Sequence, residues 1–286
     1  MNVHLFDGTY ELFRAWFGAP PAQHGGVEVG ATRAFLRSLA GALRTGKITH
    51  AGVAFDHVIE SFRNDLFAGY KTGEGLDARL VAQFPMAERA AAALGLVVWP
   101  MIEFEADDAI ATAAARAGAD PRVEQVRICA VDKDMCQCVR GTRVVEWDRW
   151  KDVVLDEPAV VGKHGVSPPS IPDLLALVGD TADGIPGVPG WGKSSASRVL
   201  TVWQHVDRIP GDPATWNVPG LRGADRLAAM LREHATEVVL YRTLATLRTD
   251  CPIRCDVDDL AWRGPDRAAL AALCDELGLA VDAVRV

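Results

Sequence analysis

Nine carboxylates in this sequence stand where one shared chemistry could recruit them. Asp7 follows the apolar run Val3 to Phe6, Asp56 follows Ala51 to Phe55, and Asp132 with Asp134 follows Val126 to Val131. Glu105, Asp107 and Asp108 come after Leu96 to Trp99 and a short loop, while Asp180 and Asp183 lie just past Leu174 to Val178. Taken singly, each has an ordinary explanation, since an acid in a first helical turn answers the macrodipole and Asp after a strand is turn chemistry. Gathered at one place they would repel: a like-charged pair about 4 Å apart, at an effective dielectric of about 20, costs about 4 kcal/mol. Something positive must then sit among them. Hard oxygen donors without a nearby His or Cys suit magnesium or manganese, and two such ions about 4 Å apart are apparatus for cleaving phosphodiesters.

Bringing these acids together is a task for a sheet. The runs Val3 to Phe6, Ala51 to Phe55, Leu96 to Trp99 and Val126 to Val131 are bounded by Asp, Gly or Pro and read as buried strands. Between them, Thr32 to Leu43, Leu80 to Leu94 and Asp107 to Ala117 carry Ala and Leu at helical spacing. The alternation predicts an α/β fold with a central, mostly parallel sheet, whose strand ends converge on one ligand-binding edge. Asp180 and Asp183 would share a helical face if the helix before them continues. From about Val161 the pattern changes to helices broken by Gly and Pro, at Ser167-Pro168-Pro169, Gly184 to Gly192 and Pro210 to Pro213. This predicts a second, helical domain, with the chain divided as 1–165 and 166–286. A terminal helix is expected over Asp266 to Leu277.

Composition sets the outer limits. With 286 residues, 49% hydrophobic and 24% charged, the chain has the makings of a packed core and excludes a disordered polymer or a fibre. Its longest uncharged apolar stretch, Ala90 to Ile102, is interrupted by Gly95 and Pro100 and is too short to span a bilayer. The start at Met1 carries no basic leader or small-residue cleavage site, so a cytoplasmic location is expected. Six cysteines form no CxxC pair and no zinc-like spacing with His, and reduced, buried thiols are the expected state. The net charge is −8, yet setting the nine acids aside leaves 29 acidic against 30 basic groups, so the excess acid does not oppose a nucleic-acid partner. Residues 191–254 hold nine basic and six acidic groups, including Lys193, Arg198, Arg208, Arg222 and Arg226. They form the segment best suited to a polyanion, although a solvated helix face would carry the same charges.

In order and spacing, Asp7-Gly8 with Arg14, Phe55-Asp56, Phe62-Arg63, Tyr70-Lys71, Glu105-Ala106-Asp107-Asp108, Asp132-Lys133-Asp134 and Gly179-Asp180-x-x-Asp183 resemble the bacterial and phage 5′ nucleases. These are structure-specific 5′ to 3′ exonucleases and flap endonucleases, among them the N-terminal domain of bacterial DNA polymerase I. The likeness runs from Asp7 to about Asp250. It implies a PIN-like α/β domain followed by a helical domain bearing a helix-hairpin-helix. It also implies two divalent ions: Asp7, Glu105, Asp107 and Asp108 at the first, Asp134, Asp180 and Asp183 at the second, Asp132 between them and Asp56 supporting. The implied reaction is in-line hydrolysis of DNA phosphodiesters to leave 5′-phosphates, in repair and replication, on flaps, nicks, gaps or overhangs. Lys71 and Arg63 would stabilise the reacting phosphate, Tyr70 would stack the unpaired terminal base, and Arg14 would hold a nearby phosphate. The bland alternatives are core packing for Tyr70 and a surface role for Lys71.

Ile185 to Leu200 resembles the family's hairpin, with Gly187, Gly190, Gly192, Lys193, Ser194 and Ser195 offering a turn and helix start to one duplex phosphate, and with a potassium ion implied there. The same residues match a Walker A string, but no buried strand precedes them, so that match reads as accidental. The sequence departs from the family pattern at Gly184, where Asn is usual, at Trp191 and Ser194 in the hairpin, and at Glu74 and Asp77, where relatives are basic. The chain stops at Val286 without a polymerase, so the expected form is a free-standing nuclease. A phosphatase resembling the haloacid dehalogenases is excluded, because its nucleophilic Asp would fall at Leu5. A PIN-type ribonuclease is disfavoured by the duplex-binding hairpin. A nuclease-derived protein that binds branched DNA without cutting it is the remaining alternative.

Overall fold

The computed structural model describes all 286 residues. They group into two units that interleave along the chain: Met1–Ser61, Gly73–Ala130 and Arg248–Val286 form the first, and Phe62–Thr72 with Val131–Leu247 the second.

The first unit is built on four parallel strands. Strands β1 (Asn2–Asp7), β4 (His50–Asp56), β5 (Val97–Met101) and β6 (Gln125–Cys129) lie in the order β5-β4-β1-β6. The register sets Phe6 beside Val53 on one side and Cys129 on the other. Val3, Leu5, Phe6, Val53, Ala54 and Phe55 are completely buried, as expected of strands covered on both faces. A two-residue ribbon, β2 (Gln23–His24) and β3 (Val27–Glu28), stands apart from this sheet. The covering helices are α1 (Gly8–Gly18), α2 (Gly30–Leu43), α4 (Ala78–Val81), α5 (Phe84–Ala93), α6 (Ala106–Ala119) and α12 (Arg267–Glu276). Helix α1 starts hard against β4: a Cβ on Gly8 would lie 2.5 Å from the Phe55 ring.

The single helix expected over Leu80 to Leu94 is broken into α4 and α5. Pro85 occupies the first turn of α5, where a missing N–H costs nothing but a continuing helix is barred. Gln83 turns inward at the break and is fully buried, its Oε1 accepting from the Thr32 N–H at 2.9 Å and the Thr32 hydroxyl at 3.0 Å.

The second unit holds α3 (Phe62–Leu66), α7 (Glu157–His164), α8 (Ile171–Val178), α9 (Lys193–Trp203), α10 (Ala224–Glu233) and α11 (Ala235–Ala245). It also holds an antiparallel ribbon, β7 (Val144–Asp148) with β8 (Val153–Leu155). Leu177, Val188, Trp191, Leu200, Trp216 and Leu244 are among its core residues. Helix α8 does not continue to Asp180, contrary to the shared helical face expected for Asp180 and Asp183. Gly179 turns the chain at φ 88°, and Asp180 and Ile185 then exchange backbone hydrogen bonds of 2.8 Å each way, closing a loop that carries both acids. No helix is long and apolar enough to cross a membrane.

Candidate functional site

In the first unit the acids sit at the C-terminal edge of the sheet, and small polar contacts stitch that edge together. Asp7 ends β1 and caps α1, its Oδ1 accepting from the Tyr10 N–H at 2.8 Å. Asp56 ends β4; its N–H donates to the Thr9 hydroxyl oxygen at 2.8 Å, and its Oδ1 accepts from the N–H of Ala106, the first residue of α6, also at 2.8 Å. Thr9, Asp56 and Ala106 thus tie the ends of β1 and β4 to the loop that follows β5. Glu105 is 3% exposed and receives the Ser61 hydroxyl at 2.7 Å. Asp108 is fully buried, its Oδ2 accepting from the Glu105 N–H at 3.1 Å and its Oδ1 from the Arg248 N–H at 2.8 Å. Asp107 shares the same first turn of α6. Arg14 lies on an exposed face of α1.

The second unit brings its acids to lysines. Asp183 Oδ1 lies 3.0 Å from Lys71 Nζ, and the Lys71 N–H also donates to the Asp183 carbonyl at 3.0 Å. Asp180, 1% exposed, has its Oδ1 at 2.7 Å from Lys133 Nζ and accepts the Ala182 N–H there at 3.0 Å. Its buried Oδ2 has no hydrogen-bond partner. Asp132 Oδ1 accepts from the Lys133 N–H at 2.7 Å, and Asp134, nearly buried, heads the tight turn Met135–Cys138. Gly184 has a steric reason to replace the usual Asn: its φ is 74°, and a Cβ there would come within 2.2 Å of the Gly69 carbonyl oxygen. The acid-bearing loop therefore rests directly on the backbone leading to Tyr70 and Lys71.

Two expected roles are corrected. Arg63 is 1% exposed; its Nε donates to the Leu244 carbonyl at 2.8 Å and a terminal nitrogen donates to the Thr246 carbonyl at 3.2 Å. A guanidinium enclosed in this way satisfies the end of α11 and is withheld from any phosphate. Tyr70, 5% exposed, is part of the second unit's apolar core, so core packing, rather than an open face for a base, accounts for it. Sequence reasoning missed Thr9 and Ser61, whose only signal was a hydroxyl beside each acid-bearing segment.

A further buried group lies off the acid set. The Cys136 thiol donates to Glu146 Oε2 at 3.0 Å, and His164 Nε2 is 3.5 Å from the same sulfur. Burial pushes the Glu146 carboxyl up to about 7 and raises the Cys136 thiol. Burial, aided by Lys163, Lys193 and Lys133, lowers His164 to about 4. A thiol held protonated in this way is inert, in keeping with the structural role expected of it.

The hairpin forms as the glycines demand. Gly187 and Gly190 take φ of 75° and 82°, and a Cβ on Gly187 would lie 2.5 Å from the Gly179 nitrogen. Ser195 closes the start of α9, accepting from the Gly192 N–H at 3.1 Å. Lys193 Nζ donates to the Lys163 carbonyl at 3.1 Å, and Ser194 lies in the same first turn. Trp191 turns inward, its indole N–H donating to the Leu227 carbonyl at 3.1 Å and its ring 6.1 Å from Trp216. A loop, not a strand, precedes this turn, which disposes of the Walker A reading.

No three His, Cys, Asp or Glu side chains are drawn together closely enough to hold an ion in this arrangement. The residues nevertheless fit a hard divalent cation. The donor set is all oxygen, lysine ammonium groups already neutralise two of the acids, and a buried Asp180 oxygen lacks the partner that a cation would supply.

Comparison with known proteins gives the same direction. Residues 2–165 match the family model for the 5′-3′ exonuclease N-terminal resolvase-like domain, and residues 166–268 that for the 5′-3′ exonuclease C-terminal SAM fold. The chain is 35% identical to DNA polymerase I of Pseudomonas aeruginosa over 283 residues and 32% identical to that of Bacillus caldotenax over 280, in both cases over 96% of its own length. It spans only 30% and 31% of those two polymerases. Among solved structures it is similar to the T5 5′-exonuclease with bound zinc, at TM-score 0.69 and 18% identity, covering 97% of this chain and 98% of that one. It is also similar to the catalytic core of Rad2 in complex with DNA substrate, at TM-score 0.62 and 14% identity, covering 99% and 89%. These likenesses show the fold: a PIN-like resolvase domain with a mostly parallel sheet, followed by a helical domain. The chain belongs to the 5′-3′ exonuclease family.

Proposed function

We propose that this member of the 5′-3′ exonuclease family is a structure-specific, divalent-metal-dependent 5′ nuclease that hydrolyses DNA at flaps, nicks, gaps or overhangs and leaves 5′-phosphates. The observation that carries this reading is the buried Asp180, with one oxygen on Lys133 and the other unpartnered, in a chain that retains all nine acids. Magnesium or manganese, when bound, would activate water and neutralise charge on the phosphate. Asp7, Glu105, Asp107 and Asp108 would hold one ion, Asp134, Asp180 and Asp183 a second, with Asp132 serving both. Asp56 orients the first set through its bond to Ala106. Lys71, 30% exposed, would steady a phosphate oxygen once Asp183 is otherwise engaged. The division expected at residue 165 is revised: Arg248–Val286 group with the sheet-bearing first unit, and Phe62–Thr72 with Val131–Leu247 form the second. Gly187 to Ser195 would take one duplex phosphate, aided by a potassium ion, and Arg14 another. A cytoplasmic protein acting in repair and replication follows from the same reading.

The test is cleavage of a 5′-labelled flap on a nicked duplex with magnesium, with manganese and with chelator, alongside Asp132→Asn. Metal-dependent cutting near the junction that Asp132→Asn abolishes is the expected result. A second reading, a binder of branched DNA that does not cut, draws on the withdrawal of Arg63 into the core and on the pairing of Arg79 with Asp77 at 2.6 Å. Chelator-resistant binding without cleavage would select it.

A further inference from the structure

Lys133 lies between two of the acids in sequence, yet its side chain reaches neither of them in the contacts it makes. Its ammonium sits 2.7 Å from Oδ1 of Asp180, a carboxylate with only 1% of its side chain exposed, while the lysine itself remains 40% exposed. A buried carboxylate without a countercharge is costly, and one strongly hydrated ammonium on a flexible stem is the least committed way to neutralise it. The second oxygen of Asp180 is left unpartnered, so the lysine neutralises the group without saturating it. Lys133 can swing to solvent, whereas Asp180 is fixed by the Ala182 N–H and by the backbone pairing of its own residue with Ile185.

We propose that Lys133 is an exchangeable countercharge for Asp180: it neutralises the carboxylate while no divalent cation is bound at the second acid set and is released when one binds there. This rests on the metal-dependent reading above. Lys133 is then a positioning residue. Its competition for Asp180 lowers the apparent affinity of the site by the fraction of molecules in which the ion pair is closed. The family pattern places acids on both sides of Lys133; the structure adds the carboxylate across the loop that its side chain serves.

The first experiment uses the unaltered full chain, with manganese as the probe and no DNA. Brief lysine acylation read by mass spectrometry should show Lys133 modified several-fold faster with manganese than with chelator, because the amine freed from the carboxylate is open to the reagent. The second is manganese titration by calorimetry and by thermal melting of Lys133→Met and Lys133→Arg. Lys133→Met should melt at a lower temperature without metal, recover more of that loss with manganese than wild type gains, and bind about five- to tenfold more tightly. Lys133→Arg, which keeps the charge, should stay near wild type. Unchanged or slower acylation with manganese, or equal or weaker binding by Lys133→Met, overturns the proposal even where wild type binds manganese normally. Wild type that binds no manganese overturns it as well, together with the metal-dependent reading. If Lys133→Met does not fold, the acylation of wild-type protein decides.

Discussion

At the scale of single residues, the buried ionisable groups separate those retained for packing from those retained for chemistry. Glu146 is 1% exposed and its carboxyl titrates at about 7 in place of 4.5, chiefly through burial. The folded protein therefore keeps a proton that the unfolded chain gives up. Below pH 4.5 neither state is ionised and Glu146 costs nothing; between 4.5 and 7 the cost grows; above 7 it is complete, at about 3 kcal/mol or less. Glu146→Gln keeps an acceptor for the Cys136 thiol and removes the cost. Urea midpoints for this variant should match wild type at pH 4.5 and exceed it at pH 8. Arg63 gives the opposite case. Arg63→Ala leaves the carbonyls of Leu244 and Thr246 without a donor, and equilibrium unfolding should show a loss of about 3 kcal/mol. Because Arg63 is withheld from phosphate, the folded fraction should retain DNA cleavage within about a factor of three per molecule; a loss of orders of magnitude in fully folded protein would return Arg63 to the reacting centre.

Elements were legible in the sequence where burial on both faces left a plain signature. The four parallel strands are mostly apolar runs, interrupted by His4 in β1 and Arg127 in β6, and Asp7 and Asp56 close β1 and β4 at the sheet edge. Helix α6 was equally clear. The ribbon β7–β8 was not, because Trp147, Asp148, Arg149, Trp150, Lys151 and Asp152 mix aromatic and charged residues in a way that resembles a loop, and half of its faces meet solvent. The acids themselves were visible by residue type. Their supports were not: Ser61 beside Glu105, Thr9 beside Asp56 and the Arg248 backbone beside Asp108 are tertiary contacts with no periodic trace. Gly8 shows how tightly element fixes site. Gly8→Ala would drive a methyl into the Phe55 ring at the point where α1 leaves Asp7. Overpacking of that kind should lower stability by about 1–3 kcal/mol in denaturant melts, and divalent-ion binding should weaken with it as Asp7 and Thr9 move.

At the scale of the whole molecule, the stretch from Arg248 to Val286, assigned from sequence to the helical domain and read there only as one terminal helix, belongs to the first unit's structure. The Leu260 carbonyl accepts from the Ala51 N–H at 2.9 Å, the Trp262 N–H donates to Thr49 at 2.8 Å, and the Trp262 indole donates to the Leu94 carbonyl at 2.8 Å. The Trp99 indole reciprocates by donating to the Arg254 carbonyl at 3.0 Å. Helix α12 lies past nearly all of the matched family segment, which ends at residue 268, yet Leu270, Leu273, Cys274 and Leu277 are buried and Glu276 makes a paired hydrogen bond with Arg89. Exposed bidentate pairs of this sort contribute little by themselves, so the helix is held mainly by its apolar face. Fully burying a Leu side chain is worth about 1.5–3 kcal/mol, an upper figure for a compact unfolded state, and three of them approach the whole stability of a typical domain. A chain truncated after Asp266 should therefore unfold at markedly lower urea or expose apolar surface to a hydrophobic dye, even though every acid and the hairpin are retained. If it instead melts within a degree or two of the full chain and cleaves equally well, α12 is an ornament on the first unit, and its buried leucines owe their place to something other than stability.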